Sequence, residues 1–323
     1  MMAPPIDAYT IIHLPPASPD WGGVVAQFSL HLTQQEGRAY AAWAGDRLAR
    51  AAKVSEGMVG LCDGQLCGIL LVTVEGNVAE FSLPWLTEPD PPLAAALARQ
   101  ALALIQTHYP ALQYLRAERQ LVPGQMEIGG LEAAGLRCHW RWRMQLEFAG
   151  WEQAWAPLRG YRFEPWNIQY LNQAAEVVFA ANEGTIDARL YAPFFGDNPT
   201  QCRKGLLSIL AGKFGLLHPQ ATLCAFAGRE LVGINLVISE GNGLASVVEI
   251  SVAPAHQGKG VGRALMLGSL CRLKGERVER VELAVTQVNV RAVGLYESLG
   301  FLTVGAFPVC VWPEAALGAQ TAS

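Results

Sequence analysis

The sequence predicts an α/β fold built twice in one chain. Three observations carry that expectation: an internal repeat at fixed spacing, β-branched runs followed by helical ones, and a glycine loop joining one such strand to one such helix. The segment "CDGQLCGILLVTVEGN" (62–77) matches "AGRELVGINLVISEGN" (227–242), with Gly68 opposite Gly233 and Gly76 opposite Gly241, an offset of 165. "LEAAGL" (131–136) and "YESLGF" (296–301) keep the same offset. Fixed self-similarity of this kind marks a duplicated structural unit. Upstream, "AYTIIHLPP" matches "GYRFEPWNI" at an offset of 152, so the second copy carries about thirteen extra residues in its early helical region. The copies join near 148–160, which gives expected domains of 1–150 and 158–323.

In the first copy, "CDGQLC" reads as a half-buried strand hairpin rather than a metal site, since no second cysteine or histidine pair lies nearby. "PLAAALARQALALI" reads as a buried helix that Pro91 and Pro92 can start. "HWRWRMQLEF" (139–148) alternates with period two and reads as an edge-exposed strand, not a base-stacking surface. In the second copy, "ASVVEISVAP" (245–254) is β-branched and ends at a proline, the pattern of a strand. "VGRALMLGSLCRLKGE" follows with leucines at helical spacing and Gly275 as its stop. Between them stands "HQGKG". The first amides of a helix lack partners, and a loop without Cβ atoms lets a phosphate reach them. The spacing fails the P-loop pattern, because Gly260 follows Lys259 where Ser or Thr belongs. It also fails the dinucleotide pattern, which would need glycine at Arg263.

What stands here is Q-x-x-G-x-G, at Gln257, Gly260 and Gly262. About thirty residues on comes "VELAVTQVNVRAVGLYESLGF" (281–301), in which Asn289 opens a helix that carries Tyr296. Together these resemble the GNAT superfamily of acyl-CoA N-acyltransferases over roughly 158–313, in the tandem arrangement also found in mycothiol synthases. The resemblance implies two α/β domains (α+β in detail), each a mixed, mostly antiparallel sheet flanked by helices. It implies acetyl-CoA as co-substrate, no metal, and a primary amine, of a small molecule, as acceptor. The alternatives are acetylation of a thiol-sugar precursor, as in mycothiol synthases, and a non-catalytic acyl-CoA sensor.

By this resemblance the pantetheine arm lies along Ile250, Ser251 and Val252, in a splay between that strand and the one near Val285. Backbone N–H groups near Ile250 or Val252 would then face the developing oxyanion. The diphosphate meets Gln257, Gly258, Lys259, Gly260, Val261, Gly262 and Arg263. Lys259 and Arg263 either add charge there or are solvated cations at a helix start. Asn289 bonds the pantetheine arm, caps its helix, or does both. Glu249 is the candidate base; the alternative is an outward-facing Glu, since Glu249 and Ser251 share the face opposite Val248, Ile250 and Val252. The family often places a Glu five before the Asn, where this chain has Ala284; Glu282 is a weaker substitute and a water chain another route. Tyr296 is the candidate acid for the leaving thiolate, or a tyrosine packed between helix and sheet. For the acceptor, the segment 178–199 offers Asn182, Glu183, Asp187, Arg189 and Tyr191, each of which also fits ordinary surface.

The repeat is an internal control. Shifted by 165, Gln257, Gly260 and Gly262 fall on Pro92, Ala95 and Leu97, Tyr296 on Leu131 and Asn289 on Gly124. The first copy thus lacks the site residues, so the fold itself does not require the glycines.

Composition narrows the rest. Half the 323 residues are hydrophobic (51%) and 16% are charged, which suits packed cores rather than disorder. A net charge of −4 argues against a general nucleic-acid binder. No apolar run reaches bilayer length, so no membrane partner is expected. The N-terminus has no signal-peptide pattern, and seven scattered cysteines suit a reducing cytoplasm. The oligomeric state stays open.

Overall fold

Short hairpins set up both halves of the chain, which a computed structural model describes over residues 9–312 apart from 113, 124–126, 157 and 197. The chain divides into two units: one reaches His139 and resumes at Pro308, the other spans Trp140–Phe307.

The first unit begins with β1 (Tyr9–Leu14), α1 (Trp21–Glu36) and α2 (Arg38–Ala51). The cysteine hairpin follows as β2 (Glu56–Cys62) and β3 (Gln65–Glu75), turned at Asp63 and Gly64, which both take positive φ. Then come β4 (Val78–Ser82), β5 (Trp85–Leu86), α3 (Pro91–His108), β6 (Tyr114–Arg119) and α4 (Gly129–Ala133). Antiparallel pairs link β1–β2, β2–β3 and β3–β4, while β4 and β6 run parallel.

β7 (Arg137–Glu147) passes from one unit to the other. The second unit continues with β8 (Arg162–Pro165), α5 (Leu171–Asn182), α6 (Ile186–Leu190), α7 (Ala192–Phe195), α8 (Pro199–Leu210) and β9 (Leu216–Leu217). The second hairpin is β10 (Leu223–Ala227) and β11 (Glu230–Gly241), followed by β12 (Leu244–Val252), α9 (Val261–Lys274), β13 (Arg280–Thr286), α10 (Val290–Ser298) and β14 (Leu302–Trp312). Its sheet repeats the scheme of the first: β8–β10, β10–β11 and β11–β12 antiparallel, β12–β13 parallel. The extra residues of the second copy form α6 and α7.

The unit boundaries depart from the linear division at 150 and 158. In the second unit, Arg141–Glu147 of β7 pairs antiparallel with Thr286–Arg280 of β13. In the first, Cys310–Trp312 of β14 pairs with β6. Each sheet therefore takes its last strand from the other repeat. "HWRWRMQLEF" is accordingly no exposed edge along β13, and Arg141 is buried. Met144 and Leu146 pack into the core with Val247, Leu270, Val281, Leu283 and Phe301. Burying two such side chains stabilises this pairing by about 3–6 kcal/mol. Alternation along a strand sets its faces, but not which sheet it joins. A second departure concerns the cysteines: Cys138 and Cys310 form a disulfide, while Cys62, Cys67, Cys202, Cys224 and Cys271 are free thiols.

The start of α3 shows what the first copy does with its helix N-terminus. Asp90 is the N-cap, and its Oδ1 accepts from the Leu93 amide at 3.0 Å. Its other oxygen accepts from the Tyr9 hydroxyl. Gly130 of α4 packs so closely that a Cβ there would meet the Ala94 Cβ at 2.3 Å and the Ala95 nitrogen at 2.6 Å. Ala95 and Leu97 are buried. A side-chain carboxylate and a tight helix contact thus fill the place that the second copy leaves to glycines. Gly124, the counterpart of Asn289, lies outside the described residues.

Candidate active site

β12 is where the site begins, because its pairing is irregular on both sides. Towards β11, Leu236 faces Glu249 but Val237 faces Val247, so Val248 is an extra residue in a β-bulge. Towards β13, pairing runs only from Leu244–Arg280 to Val247–Leu283. β12 continues to Val252 and β13 to Thr286, so the two strands part beyond the bulge. Among the described residues β13 offers Glu249–Val252 no partner on that side, where the Val252 carbonyl accepts from Gln257, and an extended ligand arm can bond the main chain there as an added strand would.

The glycine loop follows directly. Pro254–His256 forms one 3-10 turn, and Gln257 folds back to donate to the Val252 carbonyl at 3.0 Å. Gly258 (φ +74°) and Gly260 (φ +86°) both take the left-handed conformation that a side chain would strain. Gly260 is the N-cap of α9 and offers no side chain to its amides. Among the described residues, the N–H groups of Gly258, Lys259 and Gly260 make no backbone hydrogen bond. Those of Val261, Gly262 and Arg263 form the first turn of α9, which has no acceptors one turn back. The result is a cradle of bare amides with the positive end of the helix dipole behind it. Lys259 is exposed beside it. The Arg263 side chain points elsewhere, donating to Ser298 Oγ at 2.7 Å and Gln153 Oε1 at 3.1 Å, so only its amide serves the cradle. Arg291 of α10 instead reaches the loop and donates to Gln257 Oε1 at 2.9 Å.

Above the parted strands lies a buried polar cluster. Glu249 and Ser251 face inward, 8% and 3% exposed, so the outward-facing alternative for Glu249 is ruled out. Ser251 Oγ donates to Glu249 Oε1 at 2.5 Å, and Asn182 Nδ2 donates to Ser251 Oγ at 3.1 Å. Burial pushes the Glu249 carboxyl up to about 7; the Ser251 hydrogen bond opposes this, and nearby Asp187 adds to it. Tyr296 is also buried, its ring edge-on to Phe301 at 6.0 Å. Burial first, and then Glu249, hold its hydroxyl well above the ordinary tyrosine range, so it keeps its proton at neutral pH. Asn289 caps α10, its Oδ1 accepting from the Ala292 amide at 3.2 Å, which leaves its amide NH2 for another group.

Of the acceptor residues expected from sequence, Asn182, Asp187 and Tyr191 join this cluster. Glu183 is exposed at the end of α5, away from these contacts. Arg189 stands in the last turn of α6. Asp187 is already paired: its Oδ1 accepts from Arg141 Nη1 and from Thr286 Oγ1, both at 2.6 Å. Arg141 and Thr286 were not singled out by the sequence. Their signal was the period-two alternation in 139–148 and the residue after "VELAV", neither of which says what lies opposite. Among the described residues no group of His, Cys, Asp and Glu could hold a metal ion, and no helix is long and apolar enough to cross a membrane.

Comparison with known proteins bears on this geometry. Residues 189–301 match the acetyltransferase (GNAT) family. The second unit carries a GNAT domain. Its whole-chain fold is that of tandem GNAT proteins. A GCN5-related N-acetyltransferase from Sphaerobacter thermophilus superposes with a TM-score of 0.61 over 96% of each chain, at 16% identity. A tandem GNAT protein from the clavulanic acid biosynthesis pathway gives 0.54 over 94% of this chain and 98% of that one, also at 16% identity. Likeness at that identity shows the fold alone. Mycothiol acetyltransferases match over short segments: 43% identity across 58 residues for that of Thermobispora bispora and 47% across 60 for that of Kineococcus radiotolerans. Each alignment spans 20% of the relative's length. In the GNAT domain the bulge, the parted strands and the amide cradle follow one another within about fifteen residues of chain.

Proposed function

We propose that the second unit is an N-acetyltransferase that moves the acetyl group of acetyl-CoA to a primary amine of a small molecule, directly, in a ternary complex. What carries this reading is the divergence of β12 from β13 beside the bare amides of the loop, with buried Glu249 at the point of divergence. The amides of Gly258–Arg263 would hold the diphosphate, with Lys259 adding charge. The main chain of Ile250, Ser251 and Val252 and the amide of Asn289 would hold the pantetheine arm. When bound, the co-substrate supplies an acetyl group activated as a thioester. Glu249, poised near neutrality, takes a proton from the ammonium of the acceptor, and Tyr296 gives one to the departing thiolate. Ala284 supplies no carboxylate, and in this reading Glu249 takes its part.

Tyr296→Phe should lower kcat by about 10–100-fold while leaving the acetyl-CoA KM within about twofold, measured by thiol release. An unaltered kcat removes Tyr296 from the mechanism. Calorimetry with acetyl-CoA should give one site per chain, because Asp90 fills the corresponding helix end of the first copy. Two equivalent sites would contradict this. The reading as a whole is tested by thiol release from acetyl-CoA with a panel of amino sugars, amino acids and polyamines. Tight CoA binding without turnover on any amine would make the protein a sensor instead. The short matches to mycothiol acetyltransferases favour, as a second reading, the amine of a thiol-sugar conjugate. That conjugate belongs in the panel.

A further inference from the structure

Arg141 is a buried cation, 9% exposed, on the strand that the first repeat lends to the second unit. Its guanidinium ties three pieces together. Nη1 donates to Asp187 Oδ1 at 2.6 Å and to Thr286 Oγ1 at 3.2 Å, and Nη2 donates to the Ala284 carbonyl at 2.8 Å. Its flat face lies 4.8 Å from the centre of the Tyr191 ring. Nε is buried without a partner among the described residues. A buried ion pair rarely stabilises a fold more than apolar residues of the same volume would, and one left incompletely bonded does so even less. Its value here lies in placement. Asp187 and Tyr191 bound the segment that follows Asn182, and Asn182 anchors Ser251, which bonds Glu249.

We propose that Arg141 and Asp187 form a positioning pair that holds the Asn182–Tyr191 segment over the end of β12 and so fixes the surroundings of Glu249. This rests on the reading of Glu249 as the base. Glu249 is faced by Asp187 from α6, Arg141 from β7, Tyr296 from α10 and Cys202 from α8, with Ser251 and Asn182 bonded in series beside it. The two members of the pair act on Glu249 in opposite senses. Arg141 favours its carboxylate and Asp187 its acid form.

The test is an infrared titration of the full chain without substrate, following the carboxyl band that Glu249→Gln removes. In Arg141→Met the midpoint should rise by about one pH unit, and in Asp187→Asn it should fall by about one. A one-unit rise from about 7 would cut the ionised fraction at pH 7 about fivefold. Arg141→Lys keeps the charge but not the fork that ties Asp187 to the Ala284 carbonyl, so it should restore only part of the midpoint; full restoration would reduce the pair to its charge and overturn the positioning role. Midpoints that move together, or do not move, overturn the proposal. If Arg141→Met does not fold, the near-isosteric Asp187→Asn decides alone, and an unmoved midpoint there overturns it. Should Glu249→Gln keep full turnover while the midpoints move apart, the base reading fails and the positioning pair stands.

Discussion

Gly260→Val should leave the protein folded and raise its dissociation constant for acetyl-CoA at least about 100-fold, the loss of about two charge-assisted hydrogen bonds. The variant separates two roles that glycine can have. At Gly130 a Cβ would collide with backbone and side chain of α3, so that glycine serves packing. At Gly260 a Cβ would meet only the Leu158 side chain, at an ordinary 3.8 Å. The cost to folding is then the strain of an L residue at φ +86°, about 1–2 kcal/mol and somewhat more for a β-branched one. That is within the usual margin of stability. Relief of the strain turns the peptide planes on either side, and the amides at 258–261 no longer converge. Calorimetry with acetyl-CoA reads the binding, and a urea midpoint reads the fold. Wild-type affinity in the valine variant would remove the loop from the binding site.

That loop was legible in the sequence because it is a local constraint. Left-handed backbone at Gly258 and Gly260 demands glycine whatever the rest of the chain does, and the strand before and helix after carry their own periodicities. Asn289 and Tyr296 were legible for the same reason, as a cap and a helical position at fixed spacing. The face of Glu249 was not. Alternation grouped it with Ser251, but which face turns inward depends on what packs on β12, and one of the helices that do, α5, stands some seventy residues earlier in the chain. The bulge at Val248 is likewise a matter of partner register. Arg141 was hardest to see. Its partners stand 46 and 145 residues away, and it reaches them only because β7 pairs with β13. A duplicated sequence suggests two self-contained domains, and nothing in either copy states that their last strands are exchanged. The acceptor residues show the same limit: polar groups in 178–199 were easy to name, but Asp187 proved to be committed to a cation from outside that segment.

Glu249→Gln should lower kcat/KM by about 10²–10⁴-fold with a primary amine acceptor, and it should also change how stability depends on pH. The two effects have one cause. Burial raises the carboxyl to about 7, so the wild-type acid limb of kcat/KM should fall near that pH, with activity rising as the base ionises. The same shift acts on folding. Because the folded protein holds the Glu249 proton more tightly than the unfolded chain does, its contribution is fully present below the unfolded value near 4.5. It is then lost as pH rises through about 7, where a buried carboxylate must form. The loss is of the order of a few kcal/mol. Glutamine keeps an oxygen to accept from Ser251 but cannot ionise, so it escapes this penalty. The variant should therefore melt at a higher temperature than wild type at pH 8 and show little difference at pH 5, measured by thermal denaturation at both. An acid limb that survives in the glutamine variant would assign the titration to another group. A melting gap that is equal at both pH values would mean that Glu249 is not forced to ionise in the folded state, and the base would have to be sought elsewhere.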